Sequence, residues 1–244
     1  MTQENLWDRT ADDYVRFLNS PIGRVQRELM SEAVAHLIQK PDSQILDIGC
    51  GEGYLANHLT KQGHRVVGFD ISQTLINRAK RQFPWIDFRV GDAVAPEDYP
   101  DQQFDAAIAN LMMMNLPELA TFYCNAADHI TSGGQLVCTI VNPYYSYPVG
   151  VWKRGVWGRL TLKRPRLIVR DYFGAGEFLA EFGSSGVVNY HHKLSDYLNQ
   201  ATQAGFEFTQ LVEPKTDVAK HPRNLFAYEN SVVPLLLVLV FRKR

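Results

Sequence analysis

The sequence predicts an α/β fold opened by a nucleotide-binding strand–turn–helix unit. Two observations carry the prediction. Residues 44–55, Q-I-L-D-I-G-C-G-E-G-Y-L, read as a buried strand, a turn with glycine at every second position, and a helix bearing Tyr54, Leu55, His58 and Leu59 at helical spacing. Downstream, short apolar runs at 66–69, 86–90 and 104–110 alternate with helical patterns, the rhythm of a parallel sheet.

The turn carries Gly49, Gly51 and Gly53. Glycine allows positive φ and lets a ligand approach the backbone. A dinucleotide fingerprint would put its third glycine at position 54, where Tyr54 stands. Here Asp47 sits two residues ahead of Gly49. A carboxylate repels a pyrophosphate but suits an ammonium or sulfonium group. Asp70 closes the next apolar run, where a carboxylate can accept ribose hydroxyls.

Together, the glycine run, VVGFDIS at 66–72 and VGDA at 90–93 resemble the class I S-adenosylmethionine (SAM)-dependent methyltransferases. The resemblance covers about residues 45–242. It implies a Rossmann-like seven-stranded sheet, six strands parallel and the last antiparallel, with helices on both faces. It implies a single domain over 1–244, with an N-terminal helical cover at 5–40 and an inserted lid at 142–190. SAM is the implied cofactor and S-adenosylhomocysteine (SAH) the product. The implied cofactor residues are Asp47, Gly49, Cys50, Gly51, Gly53 and Tyr54 at the turn, Asp70 and Ile71 at the ribose, Asp92 and Ala93 at the adenine, Asn110 and Leu111 at the end of the fourth strand, and Tyr14 from the cover.

The composition bounds the rest. A chain of 244 residues suffices for one large domain, and a formal net charge of −1 does not advertise nucleic acid. Cys50, Cys124 and Cys138 have no paired or metal spacing, so no metal is expected. Cys124 and Cys138 fall in a predicted helix and strand as buried thiols. Residues 1–10 lack a signal-peptide core, and the apolar stretch 234–241 is far shorter than the roughly 20 residues of a membrane span. A cytoplasmic protein is expected.

In chain order, a first helix covers 5–19, with Trp7, Ala11, Tyr14, Val15 and Leu18 on one face. A second covers 23–39, with Val25, Leu29, Ala33, His36 and Leu37 inward. Ser72 caps a helix through Phe83. Strand 104–110 ends at the carboxyl edge of the sheet, where ligands bind. The run Leu111 to Met114 can pack against a cofactor. A helix is predicted over 115–129, a turn at 131–134, a strand over 135–141, a helix over 191–205 and strands over 206–212 and 235–241, the last two joined without a helix.

The insertion carries Tyr144, Tyr145, Tyr147, Trp152, Trp157, Tyr172 and Phe173, so it reads as a substrate lid. Asn142, Tyr144, Trp152 and Trp157 are its candidate substrate residues. Seven basic residues, Lys153, Arg154, Arg159, Lys163, Arg164, Arg166 and Arg170, precede its first acid, Asp171. They fit an anionic small molecule, an anionic membrane surface, RNA phosphates, or a solvated face. The segments N-P-Y at 142–144 and Y-H-H-K-L-S-D-Y at 190–197 are similar to a small-molecule methyltransferase subgroup with a His-Pro strand end and a Tyr-His-Arg motif. Here Asn142 replaces the His and His192 the Arg, while His191 keeps its place. His191 is the candidate general base. The resemblance implies methyl transfer to oxygen, nitrogen or carbon of a small molecule. An RNA-modifying enzyme and a non-catalytic SAM-binding module are the alternatives.

Overall fold

The computed structural model describes residues 3–38, 40–146, 148–153, 166–174 and 176–244. Helices α1 (Gln3–Leu18) and α2 (Pro21–Leu37) precede the sheet. Then come β1 (Gln44–Ile48), α3 (Tyr54–Thr60), β2 (Arg65–Asp70), α4 (Gln73–Gln82), β3 (Asp87–Val90), β4 (Phe104–Asn110), α5 (Ala120–His129) and β5 (Ile130–Val141). The insertion holds β6 (Gly150–Lys153), β7 (Arg166–Val169), β8 (Glu177–Phe182) and β9 (Ser185–Tyr190). The chain closes with α6 (Leu194–Gln203), β10 (Phe206–Val212), α7 (Leu225–Asn230) and β11 (Leu236–Lys243).

The main sheet has seven strands in the order β10-β11-β5-β4-β1-β2-β3. All its pairings are parallel except those of β11, which runs antiparallel to both β5 and β10. The chain steps outward from β1 to β3, then returns to β4 on the other side of β1. The carboxyl ends of β1 and β4 therefore flank the topological switch point, where an open α/β sheet leaves a crevice. Alternating strand residues feed two cores. Leu46 and Ile48 join Phe69, Phe122, Tyr123 and Tyr197 on one face. Ile45 joins Val34, Leu59, Ile76 and Phe226 on the other.

Several local expectations are corrected. Residues 113–115 form a single 3₁₀ turn, and α5 starts only at Ala120, beyond Pro117. Strand β5 begins at Ile130, so residues 131–134 lie within its bounds, with Gly133 at φ 79°. The return from β10 to β11 contains α7, capped by Asn224 and packed on α2. His36 is exposed, its Nδ1 3.2 Å from the Glu32 carbonyl on the outer face of α2. Cys124 is also exposed, whereas Cys50 and Cys138 are buried.

In the insertion, β6 pairs with β7 and β8 with β9, both antiparallel. Helix α1 ties the β8–β9 hairpin to the main sheet. The Asp8 carboxylate accepts from Ser72 Oγ at 2.7 Å and the Thr74 N–H at 2.9 Å. One turn further, Asp13 accepts from Ser185 Oγ at 2.7 Å and from Ser184 Oγ at 3.1 Å. The Ser185 bond leads in holding the Asp13 carboxyl down at about 2. Phe182 at the hairpin tip packs among Trp7, Tyr14 and Phe17, its ring centroid 5.3 Å from that of Tyr14. Trp157, Arg154, Arg159, Lys163 and Arg164 lie outside the described residues.

Candidate functional site

Gly49, Gly51 and Gly53 all take positive φ, at 71°, 55° and 81°. The first two serve different ends. A Cβ at Gly49 would meet the Met112 side chain at 2.9 Å, whereas one at Gly51 would meet nothing within 4 Å. Gly51 thus keeps a left-handed turn and leaves the space above it open. The turn is fixed from β2: the N–H groups of Gly49 and Cys50 both donate to the Phe69 carbonyl, at 2.8 and 3.0 Å. Asp70 accepts the Gly51 N–H at 2.8 Å on one oxygen and the Ser72 N–H at 2.9 Å on the other.

Asp47 differs sharply. It is 1% exposed, and neither carboxylate oxygen accepts a hydrogen bond from the described residues. Burial, reinforced by the charge of Asp70, pushes its carboxyl up to about 7. A buried acceptor without a partner is costly, so it marks a place for a donor. Asp70 is also raised, chiefly by burial. Opposite them, Arg27 pairs with Glu52 at 2.8 Å and lies 4.1 Å over the Tyr54 ring. With Asp47, Glu52 and Asp70 against Arg27, acids outnumber bases around the turn.

Three adjoining cavities open on this edge. The largest, about 400 Å³, is lined by Asp70, Ile71, Asp92, Ala93 and Met112. A middle one, about 260 Å³, is lined by Asp47, Cys50, Tyr54, Arg27, Phe182 and Asn189. Tyr14, Gly49, Gly51, Asn110, Leu111 and Asn115 line both. An outer cavity of about 220 Å³ is lined by Tyr145, Trp152, Tyr190 and His191, and shares Met114, Val141 and Asn189 with the middle one. Leu111, between the first two, takes φ 54°, a conformation held by its N–H donating to both the carbonyl and Oγ1 of Thr139. Thr139 Oγ1 in turn donates to Asn110 Oδ1 at 2.6 Å.

The structure thus brings together every candidate cofactor residue except Gly53, which lines none of the three cavities. A Cβ on Gly53 would meet Phe88 at 2.6 Å, so this glycine serves packing behind the turn. Of the candidate substrate residues, Trp152 lines the outer cavity, and its indole N–H is buried without a partner among the described residues. Asn142 and Tyr144 line none. Asn142 donates to the Pro234 carbonyl at 2.7 Å, and Tyr144 stacks on Tyr172 at 4.4 Å. Each is occupied in holding the strand end or the loop. His191 lines the outer cavity, its Nε2 3.0 Å from the Tyr172 carbonyl, and burial lowers its pKa. A carbonyl only accepts, so Nε2 carries the proton and Nδ1 the lone pair. His192 is buried, its Nε2 2.8 Å from the Leu116 carbonyl. Among the described residues no group of three or more His, Cys, Asp or Glu could hold a metal, and no helix is long and apolar enough to cross a membrane.

Arg27, Asn115 and Asn189 fall in no sequence motif, and Glu52 lies in the glycine turn without being singled out as a site residue. Arg27 is 25 residues from its partner Glu52, and Asn115 is 74 from Asn189, so no local spacing announces either pair.

Residues 46–138 match the family model described as a methyltransferase domain. This stretch of the chain is similar to that domain. The matched stretch contains the glycine turn, Asp70, Asp92 and Asn110. A demethylmenaquinone methyltransferase of Tropheryma whipplei (strain Twist) is 33% identical over 105 residues, which are 41% of this chain and 43% of the relative. A 2-phytyl-1,4-naphtoquinone methyltransferase of Synechococcus elongatus is 34% identical over 127 residues, 48% of this chain and 54% of the relative. The matches thus span about half the length of these curated relatives. Among solved structures, an S-adenosylmethionine-dependent methyltransferase from Mesorhizobium loti superposes with a TM-score of 0.73 at 23% identity, covering 87% of this chain and 98% of that one. Magnesium protoporphyrin IX methyltransferase from Synechocystis, solved with bound SAH, gives a TM-score of 0.63 at 16% identity, covering 99% and 98%. The chain shares the fold of these solved methyltransferases.

Proposed function

We propose that the chain is an enzyme that moves the methyl group of SAM to an oxygen, nitrogen or carbon of a small molecule and releases SAH. The buried Asp47 carboxylate, without a hydrogen-bond partner at the mouth of the glycine turn, carries this reading. An ammonium group there would supply the missing donor and oppose the surplus negative charge. Asp70 and Asp92 line the largest cavity, the place for the adenosine, with Asp70 directed to the ribose. Asn110, Leu111 and Tyr14 border the junction with the middle cavity, where the sulfonium would lie.

SAM supplies an electrophilic methyl and a good leaving group. The chain must therefore align the acceptor and exclude water. The aromatic cover of Trp7, Tyr14, Phe17 and Phe182 closes the middle cavity from above. His191 serves as the base for acceptors that are not already anionic. The named activities of the quinone and porphyrin relatives support a small-molecule acceptor. Calorimetry with SAM and SAH tests the donor: micromolar binding supports the reading, and no binding at millimolar concentration overturns it.

A further inference from the structure

The middle and outer cavities meet at a pair of side-chain amides. Asn115 Nδ2 donates to Asn189 Oδ1 at 2.7 Å. The same Nδ2 lies 3.4 Å from the Val188 carbonyl. A backbone carbonyl only accepts, so it fixes which end of the Asn115 amide is nitrogen. That choice propagates. The Asn189 oxygen must face Asn115, and its NH₂ is turned away. No described residue accepts from that NH₂. Asn189 lines both cavities, beside Met114 and Val141, and Val187 faces the middle cavity from two residues earlier on β9. Asn115 itself borders the junction of the middle and largest cavities. An oriented, uncharged donor thus stands between two chambers with aromatic walls, next to the place assigned to the sulfonium.

We propose that Asn189 Nδ2 is the hydrogen-bond donor that positions the methyl acceptor, by binding a ring oxygen of an aromatic acceptor, with Asn115 setting its orientation. This rests on the donor reading above. The chamber favours an aromatic ring: Trp7, Tyr14, Phe17 and Phe182 line the middle cavity and Trp152 and Tyr145 the outer one. A neutral donor in such surroundings accepts both a phenol and its anion. It discriminates strongly against a ring without oxygen, because the amide would then be desolvated and unpaired.

The test uses SAH-saturated protein and two probes of the same shape, 1-naphthol and 1-methylnaphthalene, with affinities measured by equilibrium dialysis. The parent should bind 1-naphthol at least about tenfold tighter, the equivalent of one hydrogen bond. Asn189→Leu keeps a similar volume and removes the N–H donor without adding an acceptor for the naphthol O–H. It should bring the two affinities within about twofold while SAH binding is retained. Asn115→Ala keeps the Asn189 amide but frees it to flip, and should give an intermediate preference. Equal affinities in the parent, a preference that survives Asn189→Leu, or no binding of either probe overturns the assignment. Failure of the parent to bind SAH strikes the donor reading first; normal SAH binding with no oxygen preference strikes only Asn189.

Discussion

The Gly51 N–H donates to Asp70 Oδ2 at 2.8 Å, so the open turn and the second acid form one unit. In the proposed complex Asp70 would reach the ribose only with the lone pairs that Gly51 and Ser72 leave free. Asp70→Ala is expected to weaken SAM binding by more than tenfold, by removing charge-assisted bonds and loosening the turn together. Asp70→Asn retains an acceptor for one of the two N–H groups and should fall between. Calorimetry of the three proteins checks the order; unchanged affinity in Asp70→Ala removes the residue from the site.

Asp47 gives two opposite pH slopes. Its folded-state pKa of about 7 lies above the ordinary 3.8, so the folded protein holds a proton that the unfolded chain releases. Its contribution to ligand-free stability is present below pH 3.8 and lost as pH rises through about 7. SAM affinity should run the other way. Below about pH 7 the cation must displace that proton, which costs up to tenfold in affinity per pH unit. Asp47→Asn should remove both slopes and raise the ligand-free melting temperature at pH 8. Melts and calorimetry between pH 5 and 8, comparing parent with variant, decide it.

His191 is held neutral at pH 7 by burial, with Nδ1 available. His191→Ala should lower the turnover rate tenfold or more for a phenol acceptor and leave SAM affinity within about twofold. The acidic limb of the parent's pH–rate profile should lie below 6.5 and vanish in the variant. Identical profiles would leave His191 as a clasp for the Tyr172 loop alone.

Gly53 supports the turn from behind. Gly53→Ala combines a φ of +81° with a 2.6 Å approach to Phe88. The left-handed conformation alone costs roughly 1–2 kcal/mol for a residue with a Cβ, and the ring contact adds to it. A fall of several degrees in melting temperature is expected, with weaker SAM binding secondary to it. An unchanged melting temperature would mean that Phe88 yields freely.

The sheet was legible because its strands are short apolar runs bounded by turn residues, as in Ile45 to Ile48 ahead of Gly49. The proposed donor side was legible for a related reason: Asp47, Asp70, Asp92 and Asn110 all sit at or just beyond strand ends, so one-dimensional spacing reports their shared edge. The acceptor side was not. Asn189 reaches Asn115 only through the packing of an inserted hairpin, and Arg27 reaches Glu52 from a helix outside the sheet. Asn142 and Tyr144 have suitable chemistry, yet Pro234 and Tyr172 engage them elsewhere. The false helix start at Asn115 has a local cause, since N-L-P followed by an acid imitates a cap while the chain is still making a 3₁₀ turn.

Helix α1 is fastened at Asp8 to the loop beside Asp70, and at Asp13 to the hairpin that carries Asn189. Its Trp7 and Tyr14 line the proposed nucleoside and acceptor compartments at once. Neither compartment can be emptied past this helix without undoing clasps that also steady the other. In the proposed reaction, spent donor and methylated product would both pass the same N-terminal helix on leaving.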